Sequence, residues 1–139
     1  MIKKELKEDF MLCLENGGQK MYNLFEQWLN RILEQELPED AAGINFNLYE
    51  DADNHWSIQL VATKYFDEED EDWVCEELFT TGEDLFTWQQ ETQWETVLET
   101  GRGLVMQYLE EGHYADKLKQ YEAVGIGFVD GDVYVLHKR

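Results

Sequence analysis

Met21, Leu24, Phe25, Trp28, Leu29, Ile32 and Leu33 recur at steps of three and four residues, which draws a single apolar stripe along an α-helix. An upstream run, Ile2, Leu6, Phe10 and Leu14, has the same period, but Gly17 and Gly18 stand between the two. A glycine costs about 1 kcal/mol inside a helix, so the pattern allows two helices or one kinked helix. Pro38, the only proline, closes this region within the polar connector Pro38-Glu39-Asp40. At Ile44 the period changes to two. Ile44, Phe46 and Leu48 alternate with Asn45 and Asn47, Asp51 to Asn54 supply turn chemistry, and Trp56, Ile58, Leu60 and Ala62 alternate again, which predicts an antiparallel hairpin.

A run of six carboxylates, Asp67 to Asp72, comes next. Trp73, Val74, Cys75, Leu78 and Phe79 then predict a third strand returning across the second, with the acids at their connection and so at one end of the sheet. Thr80 to Glu91 has no clean period and reads as a loop or short helix covering a core edge. Thr92-Gln93-Trp94-Glu95 matches a capping box. It opens a second helical stripe of Trp94, Val97, Leu98, Gly101, Leu104, Val105, Tyr108 and Leu109, which Gly112 is placed to stop. After a polar joint from His113 to Lys119, two β-rich runs flank Asp130-Gly131, a strong hairpin signal. The expected fold is α+β: one domain over residues 1–139, with a five-stranded, mostly antiparallel sheet and helices packed on one face, in the order α(α)-β-β-β-α-β-β.

Composition adds that the chain folds despite its charge. Of 139 residues 43% are apolar and 14% aromatic, enough for one real core. The net charge of −20, from 31 acids and 11 bases, is far beyond what solubility asks of a small domain. Such a surface is repelled by nucleic-acid phosphates and anionic lipids, so neither is expected as a partner, and a basic protein is the natural complement. No window approaches the roughly 18 apolar residues of a membrane span, and the start, MIKKELKEDF, leads into no long apolar stretch. The expected location is cytoplasmic. Cys13 and Cys75 share no CxxC spacing and have apolar neighbours, which suits two free thiols in a reducing compartment.

Motifs for chemistry are sparse. Neither GxxxxGK[ST] nor GxGxxG between strand and helix occurs, and Gly125-Ile126-Gly127 lies within an expected strand, where glycine permits close packing or a bulge. Asp51-Ala52-Asp53-Asn54-His55 begins like a calcium loop but lacks the glycine at its sixth position and the glutamate at its twelfth, where Ala62 stands. Consecutive acids in an extended chain point to alternate sides, so Asp67 to Asp72 do not converge on one ion. His55, His113 and His137 share no ligand spacing. Neither a metal nor a cofactor is expected. The best candidate for acid–base work is the pair Glu76 and Glu77, one of which would face inward; exposed strand-edge acids are the simpler reading. Cys75 lacks the electropositive setting of a nucleophile.

The most specific signal is the placement of charge. Between Lys64 and Arg102 lie Asp67 to Asp72, Glu76, Glu77, Glu83, Asp84, Glu91, Glu95 and Glu99, with no lysine or arginine among them. Trp73, Phe79, Phe86, Trp88 and Trp94 are interleaved with these acids, and aromatic rings anchor interfaces while charge steers the encounter. Two unit charges about 6 Å apart in water repel by roughly 0.7 kcal/mol, so a run of six opposes folding by a few kcal/mol that a cationic partner would relieve. A charged loop that merely solvates a sheet edge is the competing explanation.

In its size, its α+β layout, the acidic and aromatic stretch Tyr65 to Trp94 and its lack of catalytic motifs, the chain resembles the small acidic immunity proteins of bacterial toxin systems, including contact-dependent growth inhibition and other polymorphic toxins. The resemblance implies a non-enzymatic protein that binds a cognate toxin domain, often a basic nuclease, and occludes its active site. Asp67, Glu68, Glu69, Asp70, Glu71 and Asp72 would then stand in for nucleic-acid phosphates, Trp73 or Trp88 would anchor the contact, and Glu76, Glu83 and Asp84 would extend the acidic face. Two alternatives remain open: an acidic adaptor or nucleic-acid mimic, and an enzyme or small-ligand binder using Glu76, Glu77 and a pocket under Trp88.

Overall fold

Two chain segments far apart in sequence lie side by side at the centre of the fold: β1 (Gly43–Glu50) pairs in parallel with β5 (Ala123–Phe128), Gly43 opposite Ala123 and Leu48 opposite Phe128. The computed structural model describes residues 18–139, so the run Ile2 to Leu14, and Cys13 with it, lies outside the described residues. On its other side β1 pairs antiparallel with β2 (His55–Thr63). The chain turns between them on Ala52 to His55, where Asp53 and Asn54 both take positive φ and His55 N–H donates to the Ala52 carbonyl, so the Asp51 to His55 motif is a hairpin turn. Beyond β2 lie β3 (Glu77–Thr80) and β4 (Phe86–Gln89), both antiparallel to it: β3 along its C-terminal half and β4 along its N-terminal half. At the opposite side β6 (Tyr134–Lys138) pairs antiparallel with β5.

The sheet is therefore six-stranded rather than five-stranded, and it is mostly antiparallel as expected, with β1 and β5 as its one parallel pair among the described residues. The extra strand comes from Thr80 to Glu91, expected as a loop or short helix. Its Phe86 and Trp88 alternate with exposed Thr87 and Gln89 once β2 supplies an edge to pair with. The third strand also starts later than expected, at Glu77, because Glu71–Cys75 coil into a 3₁₀ turn, here η1.

Three helices complete the described residues: α1 (Gln19–Leu33), α2 (Trp94–Glu111) and the short α3 (Ala115–Lys119), which occupies the expected polar joint. Phe25, Trp28, Leu29, Ile32 and Leu33 of α1 are buried as the stripe predicts, but Tyr22 joins them while Leu24 is exposed. The start of α2 differs from the expected capping box. Gln93 is the N-cap residue, without a side-chain bond, and Trp94 begins the helix with its ring exposed. Gly101 lets α2 lie close on the sheet, since a Cβ there would stand 3.1 Å from Ile126 and 3.3 Å from Leu48.

Side-chain alternation sends Ile44, Phe46, Leu48, Ile58, Leu60 and Ile126 to the face that α1 and α2 cover, where Phe25 meets both Phe46 and Phe86. The tyrosines tie the helices together. Tyr108 O–H donates to Asn30 Oδ1 at 2.6 Å and accepts from the Tyr114 N–H, and Lys117 donates to the Leu33 and Gln35 carbonyls at the end of α1.

The other face of the sheet is covered by the segment expected to begin the third strand. Trp73 in η1 is 1% exposed, with its ring T-stacked on Phe66 and lying over Gly43 and Gly125; a Cβ at Gly43 would stand 2.7 Å from it. Gly127 takes the β5–β6 connection in the same way, because a Cβ there would meet the Asp132 carbonyl oxygen at 2.2 Å. These glycines are structural, as their strand position suggests, and the β5–β6 register shifts between Val124 and Gly125, where β6 supplies the extra residue, Leu136.

Trp73→Ala is expected to destabilise the chain by about 3–5 kcal/mol in urea melts, the cost of emptying a large buried aromatic site. High pH gives a second measurement. Burial, foremost, raises the Tyr108 phenol to about 12, with smaller contributions from Glu26, Tyr114 and Glu34 and partial relief from the Tyr114 N–H. Burial and then Glu26 raise Tyr22 as well. The unfolded phenols lose their protons near pH 10, so this stability is complete below pH 10 and is lost as pH rises towards 12. Tyr108→Phe should flatten that fall, while lowering stability at pH 8 by about 1–3 kcal/mol because the Asn30 and Tyr114 groups lose their partner.

Candidate functional site

The acid run forms a folded loop after β2 and the first two residues of η1 rather than an extended linker, and all six of its carboxylates are exposed. Two of them shape the chain: Asp67 Oδ1 accepts from the Glu69 N–H at 2.9 Å, and Asp70 Oδ1 caps η1 through the Asp72 N–H at 3.0 Å. Two more reach the last hairpin, Glu71 Oε2 accepting from the Val133 N–H at 3.1 Å and Glu68 pairing with Lys138. Glu69 and Asp72 make no side-chain hydrogen bond to the described residues. Partial burial, and then Asp70, Asp72, Glu76 and Asp67, hold the nearby Tyr65 phenol above its ordinary value.

Neither expected anchor offers a surface. Trp73 is sealed over the sheet, and Trp88, 8% exposed, stacks on Phe86 on the helix-covered face with its indole N–H donating to Gln90 Oε1 at 2.9 Å. Gln90 carries on to Thr100 at 3.1 Å, and its carbonyl takes the Trp56 indole N–H, so the space around Trp88 is packed and hydrogen-bonded. Glu76 and Glu77 are both exposed, in contrast to the inward carboxylate that acid–base work would need. Asp84 is held by Arg31 at 2.8 Å beside the Trp28 indole, which donates to the Asp84 carbonyl, while Glu83 is exposed next to it. Cys75, expected in apolar surroundings, is exposed. Among the described residues no three carboxylate, imidazole or thiol groups are gathered to hold a metal ion, and no helix is long and apolar enough to cross a membrane.

A different region combines bare aromatic surface with carboxylates. Where the parallel strands β1 and β5 end, beside the first residue of α2, a cleft of about 660 Å³ opens between β1, α2 and the β5–β6 connection. Leu48, Leu98 and Phe128 give it an apolar lining, and Glu50, Asp130 and Asp132 supply carboxylates. Trp94, 52% exposed, meets Phe128 edge-to-face at 6.0 Å, and Tyr134 is 37% exposed. No lining residue is basic. Beside the cleft, Arg102 lies 5.7 Å from the centre of the Tyr134 ring and is paired with Glu99 at 3.0 Å.

The pattern along the chain assigns Trp94 to the core stripe of α2 and Asp130-Gly131 to a hairpin turn. The second assignment holds, and the first fails because Trp94 is the first residue of α2 and its ring stands half exposed against Phe128. A tryptophan at the first position of a helix was the available signal. What brings Glu50 to Asp130 and Asp132 is the β1–β5 pairing, which no local pattern encodes.

Exposure separates the two groups of tryptophans in a measurable way. Trp94→Ala is expected to shift stability by less than about 1 kcal/mol, whereas Trp88→Ala should cost about 3–5 kcal/mol, both read from urea midpoints. No protein-family model, curated protein or solved structure matches this chain.

Proposed function

We propose that this chain is a non-enzymatic binding protein that captures a basic protein partner. The finer reading is an immunity protein whose partner is a toxin domain, foremost a nuclease, blocked by occlusion of its phosphate-binding groove. What supports it is the way charge is distributed over the fold. Arg31, Arg102, Lys117, Lys138 and Arg139 are each engaged with a carboxylate or a backbone carbonyl of the chain itself. Glu69, Asp72, Glu76 and Glu77 stand exposed in or just after the fixed loop, and Glu83 stands exposed beside Asp84. Lys20, Lys64 and Lys119 make no such contact among the described residues, but the acids outnumber them and face solvent, where they attract a cation from outside.

The volume of the cleft falls within the range of about 300–1,000 Å³ common to small-molecule sites, which favours a small-ligand binder as the second reading.

Capture with the tagged chain from its native cells should yield a partner of basic charge whose toxicity is relieved by co-expression. Its association rate should fall by about 10-fold or more between 50 and 500 mM salt. Joint replacement of Glu69, Asp72, Glu76 and Glu83 by Gln or Asn should slow association and leave dissociation nearly unchanged. A neutral or acidic partner, or association indifferent to salt, would refute the electrostatic reading.

A further inference from the structure

We infer that the cleft between the start of α2 and the β5–β6 connection is a receptor for an arginine side chain of the partner, an inference that rests on the basic-partner reading and locates its contact. The cleft has the two components that a guanidinium recognises. Trp94 and Tyr134 offer exposed ring surface, on which a planar cation stacks, and Glu50, Asp130 and Asp132 offer carboxylates to its N–H groups. Guanidinium suits this set better than ammonium, because it is weakly hydrated, stacks flat and donates in pairs to carboxylates. The chain already makes one such contact within itself, with Arg102 at the Tyr134 ring.

An opposing effect has to be weighed. Trp94 is the first residue of α2, and a helix N-terminus carries roughly half a positive charge, which favours an anion. Glu95 lies in that first turn and offsets it, and three further carboxylates line the cleft. The net field is negative, so the cation wins. An apolar ligand would use Leu48, Leu98 and Phe128 but would leave those three carboxylates without a counter-charge, which makes it the poorer fit.

The test is an NMR titration of the full ¹⁵N-labelled chain with three pentapeptides of sequence Ac-Gly-Ser-X-Ser-Gly-amide, where X is arginine, norleucine or glutamate. The arginine peptide should shift the Trp94 indole N–H and the Gly131 and Tyr134 amides, saturating near about 1 mM as a single stacked, paired side chain allows. It should bind about 10-fold more tightly than the norleucine peptide, and the glutamate peptide should not bind. Trp94→Ala, and separately Asp130→Asn with Asp132→Asn, should each weaken the arginine peptide by about 5-fold or more. Glu69→Gln with Asp72→Asn should leave it within two-fold. Equal binding of the arginine and norleucine peptides, shifts centred on Asp67 to Asp72, or indifference to Trp94→Ala would each overturn the assignment. If a basic partner is captured in a salt-dependent way and Trp94→Ala leaves that capture unchanged, the cleft assignment falls and the basic-partner reading stands. If the arginine peptide occupies the cleft but no basic partner is captured, the reverse holds.

Discussion

The parallel pairing of β1 with β5 is the contact on which the rest of the molecule depends. It joins residues 43–48 to residues 123–128 and so closes the chain between them into a single crossing unit that contains β2, β3, β4, α2 and α3. Parallel neighbours require a long connection, and here the helix α2 within it packs over both strands, with Gly101 against Leu48 and Ile126. Both strands end on the same side as α2 begins, and the cleft is the gap left there.

The sheet is buried by unlike material on its two faces. The helices press aromatic and aliphatic side chains onto one face, as in many α+β domains. The other face is polar and rich in glycine. Asn45 Nδ2 donates to Asn47, Asn47 donates to Gln59, and Gln59 also accepts from Tyr49, while Trp73 and the β5–β6 connection lie over Gly43, Gly125 and Gly127. An edge lined by Cβ atoms could not be covered so closely. The loop that carries the acid run is thus bound to the fold through one large ring and through Glu68 and Glu71, and its negative charge is held in place against its own repulsion.

Much of this was legible from the chain alone, where periodicity is long or turn chemistry strong. The α1 and α2 stripes, the β1–β2 alternation and the Asp130-Gly131 hairpin all follow from local pattern. Local pattern is silent where a partner segment decides the outcome. Phe86 and Trp88 become a strand only beside β2, and Trp73 becomes a core residue only over the glycines of β1 and β5. The acid loop was visible as charge, but its ties to Val133 and Lys138 join positions more than sixty residues apart. For the same reason Trp94 reads as a stripe residue: a tryptophan looks alike in sequence whether its ring is buried or exposed.

The loop's ties have a consequence for how such a surface changes over generations. Asp67 and Asp70 hold turns, Glu68 and Glu71 hold the last hairpin, and Trp73 holds the loop to the sheet, so each of these five bears a structural cost when replaced. Glu69 and Asp72 carry charge without any such bond to the described residues. Two positions can therefore drift through sign, size and shape while the frame that presents them stays constant. Substitution there alters the charge and shape of the loop without removing a bond that holds it, so surface chemistry and folding rest on separate residues only a few positions apart.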